Sequence, residues 1–233
     1  MNAGPTCKLV PHGSCRETDG PVRVDRLGVV DYAAAREAQR AHAAARTAGT
    51  GPDVLMLLEH PSVYTAGKRT RPEHRPTDGT PVVDTDRGGA ITWHGPGQLV
   101  GYPVVALRDR LAAAGYVARL EGALVDVCRR SGVVGAHRIT GRPGVWVPGR
   151  AGRPAAKIAA IGVRMAGHVT QHGFALNCDA DLSAFDAIVP CGLTDATVTS
   201  LTVATGRRIG VDDVRELVAH AVVDALDRDC PDA

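Results

Sequence analysis

Two groups in this chain have the setting that nucleophilic chemistry needs: the thiol of Cys191 and the amine of Lys157. Cys191 stands in Pro190-Cys191-Gly192. The proline stiffens the approach, and the glycine leaves a neighbouring N–H open to a ligand. A thiol held this way could attack a carbonyl while local N–H groups hold the oxyanion. It is equally the setting of an inert buried cysteine. Of the other cysteines, Cys128 falls on the apolar face of a helical pattern and Cys178 follows a strand pattern, both as packed thiols. Cys7, Cys15 and Cys230 lie near the ends of the chain. A nucleophilic thiol needs a partner that favours its thiolate, and lysines are scarce: Lys8, Lys68 and Lys157. Lys157 opens an apolar strand between Ala156 and Ile158, where desolvation suits an amine to proton transfer. A strand-end lysine with its amine in water fits the same pattern.

The stretch 87–101, RGGAITWHGPGQLVG, places Arg87, Thr92, Trp93, His94 and Gln98 among glycines. Glycine serves where the backbone must approach something closely or take a positive φ. The stretch reads as the wall of a pocket for a substrate with an acyl or carbonyl head, or else as a plain turn region. His60, His94 and His172 each border a Gly or Pro turn. No CxxC pair exists, and the HxxxH spacing of His168 and His172 falls in a strand pattern rather than on a helix, so a zinc site assembled from His94, His172, Cys178 and Cys191 is not expected, and no metal is assigned. Residues 95–101 nearly match GxGxxG, but Val100 stands in the third glycine's place and no helix pattern follows. Residues 152–157 lack the second glycine of a phosphate loop. Neither a dinucleotide nor a nucleoside triphosphate site is indicated.

These residues must be carried by a fold. At 233 residues, 44% hydrophobic and 22% charged, the chain fits one soluble globular domain. Aromatics are only 3%, so the core must be aliphatic. A net charge of +2 argues for neither nucleic acid nor anionic membrane. No apolar run is long enough to span a bilayer, and the first residues lack the apolar core of a signal peptide. The expectation is a cytoplasmic protein with free thiols.

The patterning predicts a strand at 22–27 and a helix capped by Asp31 and stopped by Gly49. A buried strand follows at 54–58, ending at Pro61. A long, basic, proline-rich loop comes next, then strands at 82–85 and 99–105 and a helix over 108–131. Strands at 136–139 and 145–147 flank a Gly141-to-Gly144 turn. A hairpin of 157–165 and 169–177 turns at Gly167, with many small residues on one side. One helical turn is expected at 181–185, an extended piece at 198–201 and an amphipathic helix at 211–226. The order is not a repeated βαβ. It argues for an α+β fold, a mixed or antiparallel sheet with packed helices. Residues 1–21 read as a mobile arm, 22–228 as a single domain and 229–233 as a frayed end.

Taken together, four motifs resemble the octanoyltransferases of lipoate biosynthesis: RGGAITWHGPGQ at 87–98, KIAAIG at 157–162, HGFALN at 172–177 and PCG at 190–192. The turn at Glu59-His60-Pro61 and the opening and closing helices also fit, so the resemblance covers about 22–226. It implies a fold like the catalytic domain of biotin and lipoate protein ligases. It implies transfer of an octanoyl or lipoyl group from acyl carrier protein to a lysine of lipoyl domains, those of 2-oxoacid dehydrogenases and the glycine cleavage H protein. Carried over by position, Cys191 is the thiol that forms the acyl-enzyme and Lys157 its partner. Arg87, Gly88, Gly89, Ala90, Ile91, Thr92, Trp93, His94, Ala160, Ile161, Gly162, Gly173, Phe174 and Ala175 are the substrate-binding residues. The donor is already a thioester, so no ATP or other cofactor is implied, and a monomer suffices. The rival readings are an ATP-dependent lipoate ligase, an amidotransferase that moves octanoyl between two proteins, and a non-catalytic acyl-binding module.

Overall fold

The structure is a computed structural model that describes residues 14–77, 79–108, 113–149, 152, 154–188 and 196–227. Among these, helices α1 (Tyr32–Thr47), α2 (Ala113–Arg130), α3 (Leu201–Thr205) and α4 (Val211–Asp227) pack on two sheets. The larger sheet runs β1 (Arg23–Val29), β2 (Val54–Glu59), β6 (Gln98–Val104), β10 (Val169–Asn177), β9 (Ala156–Ala166), β8 (Arg142–Val147) and β7 (His137–Ile139). The short β11 (Thr197–Val198) pairs with β9. The β1–β2 and β9–β11 pairs are parallel and the others antiparallel, so the sheet is mixed, as expected. A three-stranded sheet of β4 (Val82–Asp84), β3 (Val63–Ala66) and β5 (Thr92–His94) stands beside it.

The unbroken apolar run of β2 is explained by burial on both faces. Leu55 and Leu57 join the core beneath α2 and α4, while Val54, Met56 and Leu58 pack with Ala35 of α1. Asp31 caps α1, its side chain accepting from the amides of Ala33 and Ala34. On α4, Val214, Val218, Val222 and Leu226 are buried at helical spacing.

Four expectations change. The loop after Pro61 contains β3 and a 3-10 turn at Pro72–His74. β8 begins at Arg142, inside the anticipated turn. Residues 198–201 are not one extended piece: Ser200 caps α3, which starts at Leu201. The described part of the N-terminal arm is docked. Cys15 donates its amide to Leu226 O, and Arg16, 2% exposed, pairs with Asp53 at 2.9 Å and Asp227 at 2.7 Å. The periodicity of 14–19 is too short to reveal such anchoring.

Candidate functional site

The site grows from the β9–β10 hairpin. In its register Ala160 lies opposite Ala175, and Gly162 opposite Gly173. Side chains on one face alternate by two along each strand. These four small residues therefore clear a trough on the face that α1 covers. Glycine at 173 is required by packing: a Cβ there would lie 2.1 Å from Gly101 O on the neighbouring strand. The glycine-rich stretch 87–91 forms the opposite wall. It is tied down by Gly88 N–H donating to Val163 O and by amides of Lys68 and Arg69 donating to Arg87 O and Gly89 O.

The resulting cavity, about 480 Å³, brings together Arg87, Gly89, Ala90, Thr92, His94, Ala160, Ile161, Gly162, Gly173, Phe174 and Ala175. Gly88, Ile91 and Trp93 are not on its wall. Ile91 and Trp93 instead pack behind it with Tyr64, Phe185 and Ile188. The guanidinium of Arg87 donates to Thr65 O, Thr65 Oγ1, Gly88 O and Ala90 O. It thus holds the loop's shape as well as lining the cavity. The sequence did not single out Tyr32 and Tyr102, which also line it. Both are single aromatics in unremarkable local contexts, so no motif marks them.

Lys157 lines an adjacent cavity of about 420 Å³ with Gln98, Trp146, Asn177, Phe185, Thr197 and Val198. Thr92 and Ala160 line both spaces. Lys157 is buried, 8% exposed, unlike a strand-end lysine in water. Its amine donates to Pro143 O at 3.0 Å and lies 4.7 Å from the centre of the Trp146 ring. A β-bulge puts it there. On β8, Val145 and Trp146 are consecutive, but their β9 partners are Ala159 and Lys157, leaving Ile158 extra. Ile158 and Ala159 then both enter the core under the helices. The phase shifts by one, and Lys157 joins Ala160 on the cavity side instead of sharing the core face with Ala159.

A buried polar chain links the two cavities. His94 Nδ1 meets Gln98 Oε1 at 2.7 Å, Gln98 Nε2 donates to Asn177 Oδ1, and Asn177 Nδ2 donates to Thr199 O. Thr199 N–H in turn donates to Lys157 O. Gln98 Nε2 also donates to Trp93 O, which fixes Oε1 as the acceptor. His94 must therefore carry its proton on Nδ1, leaving Nε2 as an acceptor. Burial, reinforced by the nearby His60, lowers its pKa to about 3, so it is neutral. His172 has a positive φ of 58° and is held by Gln39, which accepts its amide, and by Asp86 at 2.9 Å from Nε2. Burial lowers His60 and His172 as well. Burial works to raise Asp86, but the His172 hydrogen bond and the Arg164 charge hold it below the usual carboxylate value.

These neutral histidines make stability acid-sensitive. His94 binds a proton in the unfolded chain below pH 6.5 but in the folded protein only near about 3. Stability from this group is full above pH 6.5 and falls as pH drops through that window. At pH 5 the loss from His94 alone is about 2 kcal/mol, with His60 and His172 adding in the same direction. Urea melts at neutral pH and at pH 5 check this. His94→Gln is expected to flatten the difference; an equal pH dependence in that variant would refute the assignment.

Cys191, with Pro190 and Gly192, lies outside the described residues. The described cysteines are free but poorly suited to attack. Burial raises Cys15, pushes Cys128 up to about 12 and raises Cys178 strongly. Cys128 and Cys178 are thus packed thiols, as expected. Among the described residues no cluster suited to a metal ion occurs, and no helix is long and apolar enough to cross a membrane.

Residues 31–223 match the family model of the lipoyl protein ligase A/B catalytic domain. An octanoyltransferase of Mycolicibacterium smegmatis is 60% identical over 218 residues, 94% of this chain and 95% of that protein. Among solved structures, the bipartite lipoate protein ligase of Thermoplasma acidophilum superposes with a TM-score of 0.65 at 16% identity, over 88% of this chain and 83% of its own. A biotin protein ligase of Aquifex aeolicus superposes at 0.51 and 10% identity, over 88% and 70%. The last two likenesses concern the fold, which is the α+β ligase-type fold anticipated above. By its matched domain and its close relatives, the chain belongs to the octanoyltransferases of the lipoyl protein ligase A/B family.

Proposed function

We propose that octanoyl transfer to lipoyl-domain lysines runs through a thioester on Cys191, with Lys157 as proton carrier and the small-residue trough as the acyl site. The observation that carries this reading is the shared wall: Thr92 and Ala160 line both the trough and the cavity of Lys157. An acyl chain in the trough would therefore present its carbonyl beside the Lys157 cavity. Cys191 belongs to the stretch 189–195, whose described neighbours are Ile188 and Ala196. Ile188 packs with Trp93 and Phe185, and Ala196 lines the cavity with Lys157.

The chemistry follows from these groups. The thiolate of Cys191 attacks the carbonyl of octanoyl-acyl carrier protein, and the tetrahedral oxyanion collapses by breaking the C–S bond to the carrier. Lys157 as ammonium favours the thiolate and gives its proton to the departing carrier thiolate. The neutral amine of Lys157 then takes a proton from the lysine of the lipoyl domain as that nitrogen attacks the thioester. The amide forms, Cys191 leaves as thiolate, and the ammonium is restored. The donor is already activated, so the cycle needs no ATP. A reducing cytoplasm suits a catalytic thiol of this kind.

Intact mass after mixing the protein with octanoyl-acyl carrier protein, without ATP, tests the reading. The expected result is one octanoyl adduct, absent in Cys191→Ser and discharged by an apo lipoyl domain. If modification of the lipoyl domain required ATP and free octanoate instead, the protein would act as a ligase and the role of Cys191 would be wrong. An adduct formed only from an octanoylated protein domain would mark an amidotransferase.

A further inference from the structure

Tyr32 stands between two spaces. It lines the trough beside His94 and Tyr102, and it lines a surface groove of about 800 Å³ between α1 and the three-stranded sheet. Among the described residues it is the one member common to both walls. The first turn of α1, capped by Asp31, sets its backbone. Its ring packs against two others, which also touch each other: His60 meets it edge-on at 5.2 Å, His94 lies near-parallel at 6.3 Å, and the two imidazoles are 5.9 Å apart. The side chain is 5% exposed. Tyr32 is absent from the wall of the Lys157 cavity, whereas Thr92 and Ala160, where the carbonyl would sit, line both spaces. Beyond it, Ala33, Pro61, Val63 and Val83 give the groove an apolar strip.

We propose that Tyr32 is the end stop that sets acyl chain length, a specificity-determining partition between the trough and the outer groove. The proposal rests on the trough being the acyl site, as inferred above. An eight-carbon chain ends against the ring. A longer chain would have to displace a buried ring packed against two imidazoles, whereas removing the ring joins the trough to the groove and gives the extra methylenes an apolar exit. The hydroxyl of Tyr32 makes no hydrogen bond among the described residues, so the barrier is the ring itself.

The test compares transfer from acyl-carrier thioesters of eight and twelve carbons, read as the ratio of their kcat/KM values. Tyr32→Ala is expected to raise the twelve-to-eight ratio by about 30-fold or more, because several methylenes gain a place to go. Tyr32→Phe is expected to keep the wild-type preference. Tyr32→Leu opens the partition less and should move the ratio in the same direction by a smaller factor, which keeps the test available if the alanine variant does not fold. Ala160→Leu, which fills the trough where it adjoins the Lys157 cavity, should abolish eight-carbon transfer while the protein stays folded. If Ala160→Leu blocks transfer but folded Tyr32→Ala and Tyr32→Leu keep the wild-type ratio, Tyr32 is not the stop and the acyl site stands. If Ala160→Leu transfers eight carbons normally, the trough is not the acyl site, and both inferences fall.

Discussion

Lys157→Met is expected to lower octanoyl transfer by about a thousandfold, the scale at which positioned proton transfer contributes to catalysis. The fold should survive. Methionine is unbranched like lysine and only one atom shorter, its thioether packs well on an aromatic ring, and Trp146 supplies that ring. What is lost is the one amine that, among the described residues, lines the cavity beside the trough. Lys157→Arg sharpens the test. Arginine keeps a positive charge but does not release its proton near neutral pH. If Lys157 served only as a fixed charge to favour the thiolate, the arginine variant would retain much of the acylation half-reaction. If the residue moves protons, discharge to the lipoyl domain should fall almost as far in Lys157→Arg as in Lys157→Met. Rapid-quench measurement of the two half-reactions separates these outcomes, with a thermal melt to verify folding. Near wild-type transfer by Lys157→Met would end the assignment.

The second large effect concerns Gly144, which lies opposite Ala160 where β8 meets the bulged strand. Its φ is 126°, a region other residues rarely adopt, and an added Cβ would lie 2.4 Å from Ala159 O and 3.5 Å from Lys157 Cε. Gly144→Ala must therefore shift the backbone that turns Lys157 out of the core. The expected cost is about 2–4 kcal/mol in stability, from strain and overpacking together. Transfer should fall by about 100-fold or more, since small misplacements of reacting groups are costly. Gly141→Ala is the control. That glycine also has positive φ, 79°, but a Cβ there would meet nothing within 4 Å. It should cost only about 1 kcal/mol and leave transfer intact. Urea melts and transfer rates on both variants decide the matter. Identical behaviour of the two would mean that the bulge does not depend on Gly144.

Much of this molecule is legible from local pattern. The cap at Asp31, the helical spacing of Val214, Val218, Val222 and Leu226, and the β9–β10 hairpin all express rules that act within a few residues. So does the row of small residues, because alternation along paired strands places Ala160, Gly162, Gly173 and Ala175 on one face whatever lies elsewhere. The motifs likewise contained most of the residues that come to line the trough, though Gly88, Ile91 and Trp93 lie off its wall and Tyr32 and Tyr102 belong to no motif. What local pattern could not contain is anything decided by two distant segments meeting. The parallel pairing of β1 with β2 and the three-stranded sheet depend on which strand edges are free once the rest has folded. Arg87 lines the cavity, but its hydrogen bonds to Thr65 across 22 positions arise only in the folded loop. Arg16 reads as part of a solvated arm until Asp53 and Asp227 converge on it. Lys157 is the sharpest instance. Strict alternation puts it on the same face as Ala159, beneath the helices, and one extra residue in the pairing with β8 turns it to the cavity. A bulge belongs to the register between two strands, and register is set by the packing of both sheet faces together, so it exists only once the tertiary structure has formed.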